Sequence, residues 1–206
     1  MVIDHPIFLE SIRFIRSRLA ANDLNYLEKR VLERLVHTSG DFTVQNLVNF
    51  SEGACEKGLQ ALKNGAPILT DTDMAAAAIK SMAENTTRNK VFTARMWFGK
   101  NNTNLTKTAY GLSEGWKELS AINSGSRSPI VVIGSSPTAL TYLIDILENA
   151  KDLPSLIIGM PVGFIGVENS KNKLISTDLP RIVLNSTRGG AAMAAAAVNA
   201  LLRETI

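Results

Sequence analysis

Ile130-Val131-Val132-Ile133-Gly134-Ser135-Ser136-Pro137-Thr138 begins as a short apolar run, passes through small polar residues and leads into a helical pattern continuing to about residue 150. An apolar run of this length, bounded by turn residues, reads as a buried strand followed by a helix that can cross back over a sheet. Working outward, four more short apolar runs stand at 67–70, 91–96, 155–159 and 182–184. The first precedes a predicted helix from about Asp73, and the last precedes one from about Gly190 to Leu202. Strands alternating with helices in this way predict an α/β fold, a mainly parallel sheet of about five strands with helices on both faces.

The N-terminal third has a different rhythm. Ile7, Ile12, Phe14, Ile15 and Leu19 recur at near-helical spacing among charged residues, and Leu24, Leu27, Val31, Leu32 and Leu35 mark the buried face of a second helix. Asn22 or Asp23 is the expected cap of that second helix and Gly40 its stop. A third helix is expected over 44–63, ended by Asn64-Gly65. The expected organisation is one domain over residues 1–206, mainly helical over 1–64 and α/β over 65–206, with a loop in the Asn- and Thr-rich stretch 99–106.

Composition narrows the function classes. The 206 residues carry 22 Lys and Arg against 19 Asp and Glu, a net charge of +3 that is too small to argue for nucleic acid as a partner. Hydrophobic residues at 45% and charged residues at 20% exclude disorder and point to a chain able to bury a core. One cysteine, Cys55, allows no internal disulfide, which suits a reducing compartment. No segment approaches the roughly 18 apolar residues of a membrane span. Met1-Val2-Ile3-Asp4-His5-Pro6 lacks the basic start and apolar run of a secretory signal, so the cytoplasm is the expected location, with no membrane partner.

Ligands of open α/β sheets sit beyond the carboxyl ends of the strands. The loops expected there are Asp71-Thr72-Asp73, Ser135-Ser136-Pro137-Thr138, Met160-Pro161-Val162-Gly163-Phe164 and Ser186-Thr187-Arg188-Gly189-Gly190. The Gly134 turn matches neither a dinucleotide fingerprint nor a P-loop. Arg188-Gly189-Gly190 opens an Ala-rich helix whose backbone N–H groups suit an anion, although the glycines equally suit close helix–sheet packing. His37, which titrates near neutrality, is the most suggestive acid–base residue, and a structural role at a helix end is its simpler reading. HExxH, Cys-x-x-Cys and GxSxG patterns are absent, so no protein-bound metal is expected. Asp71 and Asp73 are a candidate metal or acid–base pair, with helix capping the cheaper account of Asp73. Lys100, Lys107, Arg127, Lys171 and Arg188 are scattered cations that could meet an anionic ligand.

Taken in order, several segments resemble the precorrin-8X methylmutase family over about residues 6–202. They are Val36-His37-Thr38-Ser39-Gly40-Asp41, Gly65-Ala66-Pro67-Ile68-Leu69-Thr70-Asp71 and Ile133-Gly134-Ser135-Ser136-Pro137-Thr138-Ala139-Leu140. Further on come Ile158-Gly159-Met160-Pro161-Val162-Gly163-Phe164-Ile165-Gly166 with Ser170-Lys171, and Arg188-Gly189-Gly190 with its alanine run.

The resemblance implies an isomerase of cobalamin biosynthesis. Its substrate would be a tetrapyrrole, precorrin-8X or cobalt-precorrin-8, whose methyl group moves from carbon 11 to carbon 12 of ring C. It further implies no cofactor of the protein's own, any cobalt arriving in the substrate, and a homodimer that helps form the site. His37 matches the family's proton donor and acceptor. Ser11, Lys107, Thr138, Gly163, Lys171, Arg188, Gly189 and Gly190 fall where the substrate would be bound. The chain departs from the family pattern at Ile12 for Phe, at Lys107 for Arg, at Ser135-Ser136 for Asn-Ala, and at Val167-Glu168-Asn169 for Ala-Ala-Glu. Lysine keeps the charge at 107 but loses the bidentate fork. A non-catalytic tetrapyrrole carrier and a nucleotide-binding α/β protein are the competing readings.

Overall fold

Ile130, Val131, Val132 and Ile133 are all buried and form one strand of the sheet, and Pro137–Leu147 is the helix that follows it. The computed structural model describes residues 5–21, 23–99 and 104–206; the expected cap Asn22, the cation Lys100 and residues 100–103 of the polar stretch lie outside them. In chain order the elements are α1 (Pro6–Arg18), α2 (Tyr26–Ser39), β1 (Val48–Phe50), α3 (Ala54–Lys63), β2 (Ile68–Thr70), α4 (Asp73–Glu84) and β3 (Val91–Thr93). They continue with α5 (Lys107–Ile122), β4 (Ile130–Ile133), α6 (Pro137–Leu147), β5 (Leu156–Gly159), α7 (Val167–Ile175), β6 (Arg181–Leu184) and α8 (Ala191–Arg203).

The sheet has six strands in the order β1-β6-β5-β4-β2-β3, parallel except for β1, which runs antiparallel to β6. The five expected strands are all there, and the α/β class with helices on both faces holds. The sixth corrects the expected helix over 44–63. That span is a 3-10 turn (Phe42–Asn46), then β1, then α3. Val48, Asn49 and Phe50 are drawn into the sheet by Leu184, Val183 and Ile182, a partner far along the chain that no local pattern contains. The strand also ties the largely helical first 64 residues into the sheet.

Side chains alternate between two apolar layers because successive strand residues face opposite ways. Ile68, Ile130, Val132, Leu156, Ile158, Ile182 and Leu184 face the layer built by α1, α2, α3, α4 and α8. Leu69, Val131, Ile133, Ile157 and Val183 face the layer built by α5, α6 and α7. Among the described residues no helix is long and apolar enough to cross a membrane.

Local signals set the ends of the N-terminal helices. Asn25, and not Asn22 or Asp23, caps α2 in a reciprocal capping box with Glu28. Gly40 stops that helix with φ +65°, a left-handed conformation that glycine adopts without steric cost. The three loops after β2, β4 and β5 and the one after β6 therefore open on the carboxyl edge, and α2 ends beside the last of them.

Candidate active site

His37 lies in the last turn of α2, with its ring edge-on to Phe8 of α1 at 5.3 Å between centroids. Ser11, one turn further along α1, lines the same groove, about 430 Å³ in volume, with Ile7, Glu10, Phe14, Ile15, Val36, Gly40 and Phe42. Two expected site residues thus meet on adjoining helices. Burial, reinforced by the nearby Arg34 charge, lowers the His37 pKa below its ordinary 6.5. The resting imidazole is therefore largely neutral at pH 7, able to accept a proton and, once protonated, to give it up readily.

The segment after Gly40 joins this groove to the sheet edge. Asp41 Oδ1 accepts hydrogen bonds from the Thr43 N–H and the Thr43 hydroxyl, both at 2.7 Å, and Oδ2 pairs with the Arg188 guanidinium. Arg188 also donates to Thr43 Oγ1 at 2.8 Å. The Thr43 hydrogen bonds first, and then the Arg188 pair, pull the Asp41 pKa down to about 2. The expected cation Arg188 thus stands beside the His37 helix, already holding a carboxylate.

From Arg188 the contacts run along the edge. Gly163 donates to the Thr187 carbonyl at 3.0 Å, and Gly190 donates to the Met160 carbonyl at 2.9 Å, which stitches the loops after β5 and β6 together. A Cβ on Gly189 would come within 2.1 Å of the Met160 carbonyl oxygen, so close packing explains this glycine. A Cβ on Gly190 would meet nothing within 4 Å, while the other side of the Gly190–Ala191 backbone packs on Gly134, where a Cβ would come within 2.8 Å of the Ala191 nitrogen. Gly190 caps α8 with no side-chain hydrogen bond, and Gly166 caps α7 in the same way, leaving first-turn N–H groups for a ligand or solvent.

Asp71 closes the gap between β2 and β4, where the strand order reverses and a ligand crevice is expected. It is buried, and its carboxylate accepts from the Gly134, Ser135 and Ser136 N–H groups at 3.2, 2.7 and 3.0 Å. Burial raises its pKa and the three N–H groups oppose that rise. Asp71 is a loop anchor here. Asp73 is separate from it, pairing with Arg95 at 2.9 Å, while Thr72 and not Asp73 supplies the α4 cap. The two carboxylates thus hold different partners, and among the described residues no three His, Cys, Asp or Glu side chains are grouped as a metal set.

Beyond the Asp71 anchor, Thr138 in the first turn of α6 lies 3.0 Å from Ser136 Oγ and 3.1 Å from Thr106 Oγ1. Ser136 caps α6 and Thr106 caps α5, whose first residue is the exposed Lys107. The termini of two helices, three hydroxyls and a cation thus converge. Lys107 and Thr138 were expected; Thr106 was missed, although a threonine just before a helical pattern is a legible cap signal. Asp41 was missed as a partner because the Arg188 that meets it lies far along the chain.

Lys171 departs from expectation. Its side chain is fully buried, and its ammonium donates to the Ser186 and Arg188 carbonyls, each at 2.6 Å. It faces the inside of a loop and not the open edge. A larger groove, about 570 Å³, lies elsewhere, between α1 and α2. Within it Glu33, 5% exposed, accepts from Arg16 and Arg30, and the nearby Glu204 accepts from Arg30 and Tyr26.

Comparison with known proteins gives one consistent family. The profile described as precorrin-8X methylmutase matches residues 6–204. A precorrin-8X methylmutase of Pseudomonas aeruginosa is 35% identical, over 96% of this chain and 94% of that protein. A cobalt-precorrin-8 methylmutase of Synechocystis is 30% identical, over 97% and 95%. The crystal structure of a precorrin-8x methyl mutase from Thermus thermophilus superposes with a TM-score of 0.87 at 29% identity, covering 97% of this chain and 95% of that one.

Proposed function

The chain belongs to the precorrin-8X methylmutase family, isomerases of corrin biosynthesis, and from that premise we propose the reaction in detail. The methyl group on carbon 11 of ring C moves to carbon 12 in precorrin-8X or cobalt-precorrin-8, with His37 giving a proton to the macrocycle and recovering it. The observation that carries this reading is the placement of His37 and Ser11 in one largely apolar groove, close to Asp41, whose partner Arg188 leads into the start of α8, a helix with no side-chain cap.

The chemistry suits the groups present. Ile7, Phe14, Ile15, Val36 and Phe42 offer the flat apolar wall that a conjugated ring needs. The Thr106–Lys107–Thr138 cluster and the uncapped starts of α7 and α8 suit carboxylate arms, because exposed N–H groups and the positive end of the helix dipole favour anions. Protonation makes the conjugated system a better electron sink for the migrating methyl. A polycarboxylate substrate brings negative charge close to His37, which offsets Arg34 and raises the fraction able to act as acid. In this reading the protein needs no cofactor of its own, and cobalt, where present, is part of the substrate.

We also propose a homodimer. A four-ring substrate with its carboxylate arms is large for the His37 groove, and Phe164 and Ile165, 90% and 89% exposed in the loop between β5 and α7, are available to meet a second copy.

Purified protein given either substrate form is expected to yield the corrin product, seen as a change in the visible spectrum. His37→Ala should lower kcat by about 10²- to 10⁴-fold, the usual range for loss of a general acid–base group. Undiminished turnover by that variant would remove His37 from the mechanism. Binding without conversion in a single-turnover experiment would point to a carrier instead.

A further inference from the structure

Lys171, on α7, is among the largest fully buried side chains of the molecule. A lysine so placed is costly unless its ammonium is hydrogen-bonded. Its two described bonds, at 2.6 Å, both go to the backbone of one loop, at Ser186 and Arg188. That loop is joined to the preceding one through Thr187 and Gly190. The Arg188 side chain leaves the loop in the other direction, to Thr43 and Asp41. Asp41 immediately follows Gly40, the residue that ends the His37 helix. A line of polar contacts thus runs from Lys171 to Asp41, which the backbone joins through Gly40 to the end of the His37 helix.

We propose that Lys171 is a positioning residue: by fixing the Ser186 and Arg188 carbonyls it aims the Arg188 guanidinium at Asp41, and so holds the His37 end of α2 against the carboxyl edge of the sheet. It touches no substrate in this role. Burial pushes its pKa down to about 8, partly countered by Glu168, so at neutral pH it remains mostly an ammonium with charge-assisted bonds to both carbonyls. A methionine in its place would have similar reach and would leave the two carbonyls facing hydrocarbon. The kinetic part of the argument rests on the proposed methyl shift; the structural part does not.

The test uses full-length Lys171→Met, with Asp41→Asn as a second variant that cuts the same line at its partly exposed end. In Lys171→Met, segment-resolved amide hydrogen exchange is expected to show residues 186–190 and 40–46 losing protection together, each by about tenfold or more, with β4 and α6 unchanged; in Asp41→Asn, 40–46 should loosen with 186–190 kept. Steady-state kinetics should show kcat falling about tenfold or more while KM moves less than about threefold, because misplacing a catalytic group costs rate before binding. The double variant should lose little more than the worse single one. Wild-type protection at 40–46 in Lys171→Met, or losses that multiply in the double variant, would overturn the proposal. If Lys171→Met does not fold, Asp41→Asn decides: unchanged protection at 40–46 would show that the Arg188–Asp41 pair does not hold the helix end, and loosening there with 186–190 kept is the result expected while Lys171 still holds the loop. An inactive wild type would sink the proposed reaction, and the exchange result would still stand or fall on its own.

Discussion

His37 owes its chemistry to neighbours of two kinds. Partial burial disfavours the imidazolium, and Arg34, one turn earlier on the same helix, adds like charge. The folded pKa is therefore below 6.5, and in the window between that value and 6.5 the unfolded chain binds more protons than the folded one. This residue's contribution to stability thus rises with pH through that window and is lost on acidification below it. A side-chain NMR titration should give a His37 midpoint below 6.5, and Arg34→Gln should move it upward. A midpoint that stays put in that variant would assign the whole effect to burial. His37 itself was legible from its motif, because a histidine before Thr-Ser-Gly-Asp is a local feature. Arg34 was within reach of the same reading, since residues three apart on a helix are neighbours. Lys171 was legible only as a cation, and burial changed its role.

At the scale of elements, α5 is a helix with two glycines in its interior. Gly111 and Gly115 interrupt its pattern, each costing about 1 kcal/mol of helix propensity relative to alanine. Both sit where α5 crosses the 3-10 turn Ala94–Trp97. A Cβ on Gly111 would lie 2.2 Å from the Ala94 carbonyl oxygen, and one on Gly115 would lie 2.7 Å from the Trp97 ring. Gly111→Ala should therefore destabilise the protein by roughly 1–3 kcal/mol in urea unfolding, since the overpacking outweighs the propensity gain. A stabilised variant would mean the turn yields easily. The glycines that weaken the helix locally are the ones that let it dock. β1 escaped notice because its strand character comes from β6.

At the scale of the molecule, two apolar layers enclose one sheet, and the loops that carry the candidate residues Thr138, Gly163 and Arg188 follow the carboxyl ends of its strands. Contacts link Asp41, just past the end of the His37 helix, to Arg188 and the loops around Gly190, and Thr138 and Lys107 lie further on, beyond the Asp71 anchor. An exposed apolar pair on a loop of the same edge suits a partner that extends the site. Sedimentation should give twice the 22.3 kDa chain mass, and Phe164→Asp should shift the population towards monomer. A monomeric wild type at micromolar concentration would rule out the proposed dimer.

The sequence by itself determined the α/β class, the five parallel strands, the loops on the carboxyl edge and the family, because strand–turn–helix units and short motifs are written in neighbouring residues. Tertiary structure decided the sixth strand, the sealing of the strand-order reversal by Asp71, the capture of Arg188 by Asp41 and the burial of Lys171. Each of these depends on a partner many residues away, so its energy exists only once the chain has folded.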